Sequence, residues 1–445
     1  MFVNDATGEV VDVLQALIRN ACVNDGSDDS GDEARSVDVL RSLLDGPGID
    51  LQTFTSRGTR ESLVARIEGS DPAAPSLLLM GHTDVVPVNP DGWTRDPFGG
   101  ELVDGFVWGR GAVDMLNLTA SMAVAMRHLA SSGFRPRGSL VYLAVADEEA
   151  LGTWGAEWLV EHERDAVAAS YVITESGGNP TSRPSGVKLP VIAAEKGSHW
   201  CTLRVSGTPG HASQPFRTDN ALVTASEVVR RLAEYRPQTD IHETWRRYVE
   251  AMDFKPERAA ALLDPVQLDA AVEELPLGFA RVAHACTHTT FAPTVMHGGT
   301  KTNIIPDRVD LQVDIRTLPG QSADDVSAML HEALGDLADR VTVLKSNHDD
   351  STASPIDTPL RDAMGRACQS FYPGSTLVPT MTVGATDARF FRRLGIPSYG
   401  FGLFSTQLRY EDYALMFHGD DERVDVESLR LSTEMWKALA TDFLT

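Results

Sequence analysis

The eight residues Leu77-Leu78-Leu79-Met80-Gly81-His82-Thr83-Asp84 constrain the fold more than any other stretch of the chain. Four apolar residues in unbroken succession predict a strand buried on both faces, as in a parallel sheet covered by helices. Gly81 closes the run, and His82 and Asp84 follow at its C-terminal end. Side chains two apart on an extended chain point the same way. His82 and Asp84 are therefore expected together at the sheet edge where open α/β sheets bind ligands. A metal-binding His needs a carboxylate or carbonyl behind its other ring nitrogen, and Asp84 fits that need. Alone, the pair reads more readily as a structural His and a helix-capping Asp; its weight comes from the rest of the chain.

Apolar residues recur at helical spacing in Val10–Ile18 and Val37–Leu44. Strands are expected at Leu63–Ile67, Phe106–Trp108, Leu140–Ala146 and Tyr171–Thr174, and helices over 115–131 and Trp154–His162. This alternation predicts an α/β sandwich with a largely parallel sheet. Near Gly197 the character changes. Alternating strands at Trp200–Val205, Phe291–Met296, Arg308–Ile315 and Val341–Leu344, with helices at Asn220–Tyr235 and about 323–335, predict an inserted α+β domain with an antiparallel sheet. The Pro-interrupted, charged stretch Arg236–Arg281 reads as helical and as an enlargement of that insert. After Asp349 the α/β style returns, with helices near Leu360–Phe371 and Val426–Phe443 and a strand at Ile396–Phe401. The expectation is a discontinuous catalytic domain (residues 1–197 and 349–445) carrying an inserted lid and dimerisation domain (198–348).

Composition excludes several functions. A net charge of −24 over 445 residues argues against nucleic acid and anionic membrane as partners. No apolar run approaches the ~20 residues of a membrane helix. Met1-Phe2-Val3-Asn4-Asp5 has neither the basic nor the apolar region of a signal peptide. Cys22, Cys201, Cys286 and Cys368 lie far apart and read as free thiols in a reducing, cytoplasmic compartment. The acidic cluster Asp25–Glu33 fails as a calcium loop, because Ser30 stands where such a loop turns on Gly.

Further acidic and His residues fall just after expected strands or in loops: Asp114 after Gly109-Arg110-Gly111, Glu148 and Glu149 after Leu140–Ala146, Glu175 after Tyr171–Thr174, and His418 in Phe417-His418-Gly419. Singly, each reads as a helix cap, a solvated helix start or a surface His. Carboxylates gathered at one sheet edge repel unless a cation lies among them. A mixed His and carboxylate set suits zinc, with cobalt or manganese as alternatives. Two ions sharing one carboxylate would activate a water and polarise a carbonyl, and an unliganded Glu could take that water's proton. No Gly-x-Ser-x-Gly elbow occurs, against a serine hydrolase.

These motifs resemble those of the dinuclear zinc amidohydrolases that include aminoacylase, acetylornithine deacetylase, succinyl-diaminopimelate desuccinylase, glutamate carboxypeptidase and the carboxypeptidase-S-like N-acyl-amino-acid hydrolases. The resemblance rests on Gly81–Pro87, Trp108–Met115, Ala146–Glu149, Thr174-Glu175, Gly210–Pro215, Thr302–Pro306 and Asp314-Ile315-Arg316. It implies a zinc-exopeptidase-like α/β/α sandwich. It further implies that Asp114 bridges two metals, that His82 and Glu175 complete one and Glu149 and His418 the other. Asp84 would orient His82, and Glu148 would act as general base and then acid. His211, from the lid and in dimers from the partner subunit, would stabilise the oxyanion. Asn303, Arg316 and Arg389 would hold a substrate carboxylate, for which an Arg fork is suited.

The run Asp114-Met115-Leu116-Asn117-Leu118 departs from relatives that carry Lys-Gly after the Asp-Met pair, which favours an apolar acyl group or side chain. The implied activity is hydrolysis of an amide bond adjacent to a free carboxylate, on an N-acyl amino acid or short peptide, with the lid pairing two subunits. A dipeptidase or an N-acetyl or N-succinyl diamino-acid deacylase is the alternative, and a non-catalytic metal-binding scaffold the remote one.

Overall fold

The computed structural model describes residues 6–445; the leader-free reading of Met1–Asp5 lies outside the described residues. Leu77–His82 and Leu140–Val145 are buried at every position. Their side chains alternate between two cores. Leu77 and Leu79 join the core under the helices Ala6–Asn20, Leu116–Ser131, Pro359–Gln369 and Val426–Leu444, while Leu78 and Met80 join the core with Leu159, Phe390 and Phe391 on the opposite face. Helices on both faces explain why the sequence shows an unbroken apolar run: each side chain meets a packed layer and contributes roughly 1.5–3 kcal/mol.

The large sheet is mixed. Leu140–Val145, Leu77–His82, Tyr171–Thr174 and Ser398–Gly400 lie side by side and parallel. Arg60–Ile67 and Asp50–Arg57 extend one side antiparallel. On the other side Gly186–Glu195 follows, with Thr376–Thr382 parallel to it. The α/β sandwich expected from the sequence is formed, but Asp50–Arg57, Gly186–Glu195 and Thr376–Thr382 were not legible as strands. The first is a polar, exposed edge. The other two carry Pro190 and Pro379 in adjoining register positions, and an interior proline argues against a strand because it cannot donate to the ladder.

A second, antiparallel sheet has the order Thr290–Gly298, Arg308–Thr317, Gly197–Ser206, Val341–Asp349. Helices Ala221–Glu234 and Ala323–Leu334 cover it through Val228, Leu232, Val326 and Leu330. The stretch expected to enlarge this unit behaves differently. Trp245, Val249, Leu262, Leu268 and Val272 form one core with Ala194 and Met381 of the large sheet. These helices cover an apolar border that would otherwise face water.

Candidate metal centre

The parallel strands place three functional segments at one edge. His82 ends Leu77–His82, Asp147-Glu148-Glu149 follows Leu140–Val145, and Glu175 follows Tyr171–Thr174. Asp114 comes from the loop before Leu116–Ser131, and His418 from the turn after Tyr410–Ala414. Two overlapping donor sets result, His82–Asp114–Glu175 and Asp114–Glu149–His418, and within each the ligand atoms lie within 4.8 Å of one another. Asp114 belongs to both. Its two oxygens are each 3.3 Å from an imidazole Nε2, Oδ1 from His82 and Oδ2 from His418, while His418 Nε2 is also 3.2 Å from Glu149.

The electrostatics is that of a cluster awaiting positive charge. Burial pushes Glu148, Glu149 and Glu175 up, and neighbouring carboxylates push them further. Burial would depress His82, but Asp114 and the carboxylates around it raise it well above the usual imidazole value. Hydrogen bonds to Asp114 and Glu149 lift His418 to about 10. Glu149 Oε1 is buried without a hydrogen-bond partner. A divalent cation would satisfy all of these groups at once, so the residues present fit a pair of such ions.

His82 is oriented by backbone rather than by carboxylate. Its Nδ1 lies 2.9 Å from the carbonyl oxygen of Asp84, which leaves Nε2 facing Asp114 as the free ring nitrogen; the nearer Asp84 carboxylate oxygen is 3.7 Å from Nδ1. The Asp84 carboxylate instead receives the backbone N–H groups of Glu148 and Glu149 at 3.2 and 3.1 Å. Those two residues sit on a tight turn whose flanks, Asp147 (φ 69°) and Leu151 (φ 79°), are left-handed, a conformation that persists only where surroundings enforce it.

The enforcing residues were missed in the sequence. Asn24 donates to both Asp84 and Asp147, and buried Arg60 donates to Asn24 and Glu33. Glu422 accepts the N–H groups of Gly111, Val113 and Asp114 and pairs with Arg110, fixing the loop that presents Asp114. Only Glu422 had a local signal, four residues after His418; the others act through space.

The expected substrate-side residues are not gathered at the cluster. His211 pairs with Ile304 at the exposed Gly210-His211 bridge, next to Asn303, whose carbonyl accepts the N–H of Ala212. Its Nδ1 accepts from the Ser213 amide (3.2 Å), which puts the ring proton on Nε2, the form that can donate to an oxyanion. Arg316 forks onto Asp314 and lies over Trp200. Arg389, expected on a substrate carboxylate, is buried and engaged elsewhere: it donates to the carbonyls of Thr386 and Leu151 and pairs with Asp349. Inside the protein this guanidinium is engaged by two carbonyls and an ion pair.

Residues 78–442 match the profile of Peptidase family M20/M25/M40. The N-fatty-acyl-amino acid synthase/hydrolase PM20D1 of Homo sapiens is 28% identical over 380 residues, covering 81% of this chain and 73% of its own length. Human aminoacylase-1 is 27% identical over 382 residues, covering 84% and 82%. Among solved structures, the M20 family metallo-carboxypeptidase Sso-CP2 from Sulfolobus solfataricus superposes with a TM-score of 0.74 at 18% identity, covering 98% of this chain and 99% of that one. Human carnosine dipeptidase 1 does so at 0.72 and 16%, covering 98% and 96%. At these identities the structures speak for the fold.

Proposed function

This chain belongs to peptidase family M20/M25/M40, and from that premise we propose that it is a dinuclear zinc hydrolase cleaving an amide bond next to a free carboxylate, with N-acyl amino acids as the first substrate class. The observation that carries this reading is the pair of donor sets sharing Asp114, with an unliganded Glu148 beside them. The relatives named for N-fatty-acyl-amino acid hydrolysis and aminoacylase activity support the substrate class.

His82, Asp114 and Glu175 would hold one ion and Asp114, Glu149 and His418 the other; zinc suits the donors, with cobalt or manganese possible. When bound, the ions would supply Lewis acidity to the scissile carbonyl and acidify a water. Glu148 does the proton work. In the metal-free cluster burial and the neighbouring Glu175 raise its pKa; beside the ions its carboxylate would take the proton of the attacking water and, once protonated, give it to the leaving amine. Asp84 holds the Glu148 amide and so sets where that carboxylate stands. His211 Nε2–H is proposed to meet the oxyanion when the small domain closes, and Asn303 and Arg316, from the same domain, to hold the substrate carboxylate. Exposed Trp200, Val343 and Leu344 on the small sheet support its pairing with a second copy. The four free, buried cysteines are in keeping with a cytoplasmic setting. Among the described residues no helix is long and apolar enough to cross a membrane.

The deciding experiment is free-amine release by zinc-reconstituted protein from N-acetyl, N-succinyl and long-chain N-acyl amino acids and dipeptides, each with a free and an amidated C-terminus. Cleavage confined to free-carboxylate members is expected. Equal cleavage of the amidated members would remove the carboxylate requirement, and no cleavage with metal bound would remove the substrate class.

A further inference from the structure

The chain crosses between the two sheets twice, at Glu195–Gly197 and at Asp349–Thr352, and the crossings lie side by side. Ser198 pairs with Asp349, Glu195 pairs with Thr352, and a side chain at Gly197 would collide with the backbone of Asp349 and Ser351. One short helix, Ala388–Arg393, grips both. Its Arg392 pairs with Glu195 at 3.1 Å, and Thr386 just before the helix donates to the same carboxylate from its amide and hydroxyl. Arg389 and Arg393 both pair with Asp349.

Arg389 then reaches the other way. Its Nη2 donates to the Leu151 carbonyl at 2.6 Å, its Nη1 to the Thr386 carbonyl at 2.7 Å, and its Nε lies 2.8 Å from the Asp349 carboxylate. Leu151 closes the turn that displays Glu148 and Glu149, since its amide donates to the Glu148 carbonyl. The next residue, Gly152 (φ 65°), lies so close to Asp387 and Phe390 that a Cβ there would collide with the Asp387 carboxylate. The catalytic turn and the interdomain hinge thus rest on one helix, and one guanidinium touches both.

We infer that Arg389 is a positioning residue: it sets the turn carrying Glu148 and Glu149 and ties that turn to the hinge, so that the set of the hinge is felt at the base. The catalytic meaning of this link rests on the function proposed above; the mechanical link does not. The planar fork is what allows two carbonyls and a carboxylate to be held together, and a Lys point charge cannot reproduce it.

Hydrogen–deuterium exchange on the full-length, zinc-loaded protein tests the link without any substrate. The probes are the amides of residues 148–154, which the turn and the Asp84 and Asp147 carboxylates protect. In R389K these amides are expected to exchange about tenfold faster. The same is expected in D349N, although residue 349 bonds to none of them. On any substrate the wild type turns over, both variants are expected to lower kcat about tenfold or more with KM within about twofold, the pattern of a displaced catalytic group. Unchanged exchange at 148–154 in both variants would overturn the inference. So would a KM increase confined to free-carboxylate substrates with exchange unchanged, which would return Arg389 to the substrate. A wild type with no turnover would count against the proposed function and leave the exchange result to decide this one.

Discussion

Asp84 and Glu148 are joined by a hydrogen bond from the Glu148 backbone amide to the Asp84 carboxylate, 3.2 Å long, while His82 takes its orientation from the Asp84 carbonyl. The acid beside the first His is therefore a scaffold for the proposed base, Glu148, as much as a partner for His82. In D84N only one of the two amides of Glu148 and Glu149 can still be accepted, and the other faces an N–H. The carbonyl behind His82 is untouched. We predict a fall in kcat of about 10–100-fold with His82 still competent to bind metal, checked by steady-state kinetics alongside metal analysis. A wild-type kcat would remove Asp84 from this role.

Glu148 belongs to neither donor set, and the bond that holds it runs from its backbone amide, not from its carboxylate. E148Q keeps its size and removes its basicity. Turnover is expected to drop about 10²–10⁴-fold with metal stoichiometry at the wild-type level. Retained activity would assign the proton transfer to another group.

Metal uptake should release protons. In the metal-free cluster His418 holds a proton up to about pH 10 because Asp114 and Glu149 bond to it, and a cation must displace that proton. Zinc affinity is therefore predicted to rise with pH across the neutral range, and calorimetry in buffers of different ionisation enthalpy to register net proton release at pH 7.5. Zero release would count against His418 as a ligand. The sign reverses for the metal-free fold. A pKa raised above the ordinary 6.5 contributes stability that is complete below pH 6.5 and lost as pH climbs toward 10.

Glu422 is fully buried, with four donors aimed at its two oxygens. E422Q turns one oxygen into a donor facing other donors and leaves Arg110 without its ionic partner. We expect a loss of about 3–5 kcal/mol in unfolding free energy, read by chemical denaturation, together with weaker metal binding because the Asp114 loop loosens. A change below about 1 kcal/mol would mean that the loop is held by its own turns.

The sequence by itself determined the α/β sandwich and the candidate ligands. Leu77–Met80 and Leu140–Val145 are apolar without interruption because both faces are covered, and that period is local information. The candidate site residues were legible for a related reason: parallel strands end at one edge, so His82, Glu148, Glu149 and Glu175 read as neighbours once the strands were recognised. Tertiary structure alone decided what surrounds them. Asn24 reaches Asp84 and Asp147 and Arg60 reaches Asp147 across the fold, Glu422 reaches the Asp114 loop from 308 residues away, and Arg389 bonds to Leu151 from 238 residues away. No periodicity encodes such contacts, because a buried polar group takes whichever partner the packed chain brings within hydrogen-bond reach. Pro190 and Pro379 hid two strands of the large sheet, and the helices of 243–287 read as part of the insert because their apolar stripe does not announce which sheet it covers. Ala194 and Met381 of the large sheet join that core together with Leu318, next to the small sheet, and they are apolar neighbours only after folding.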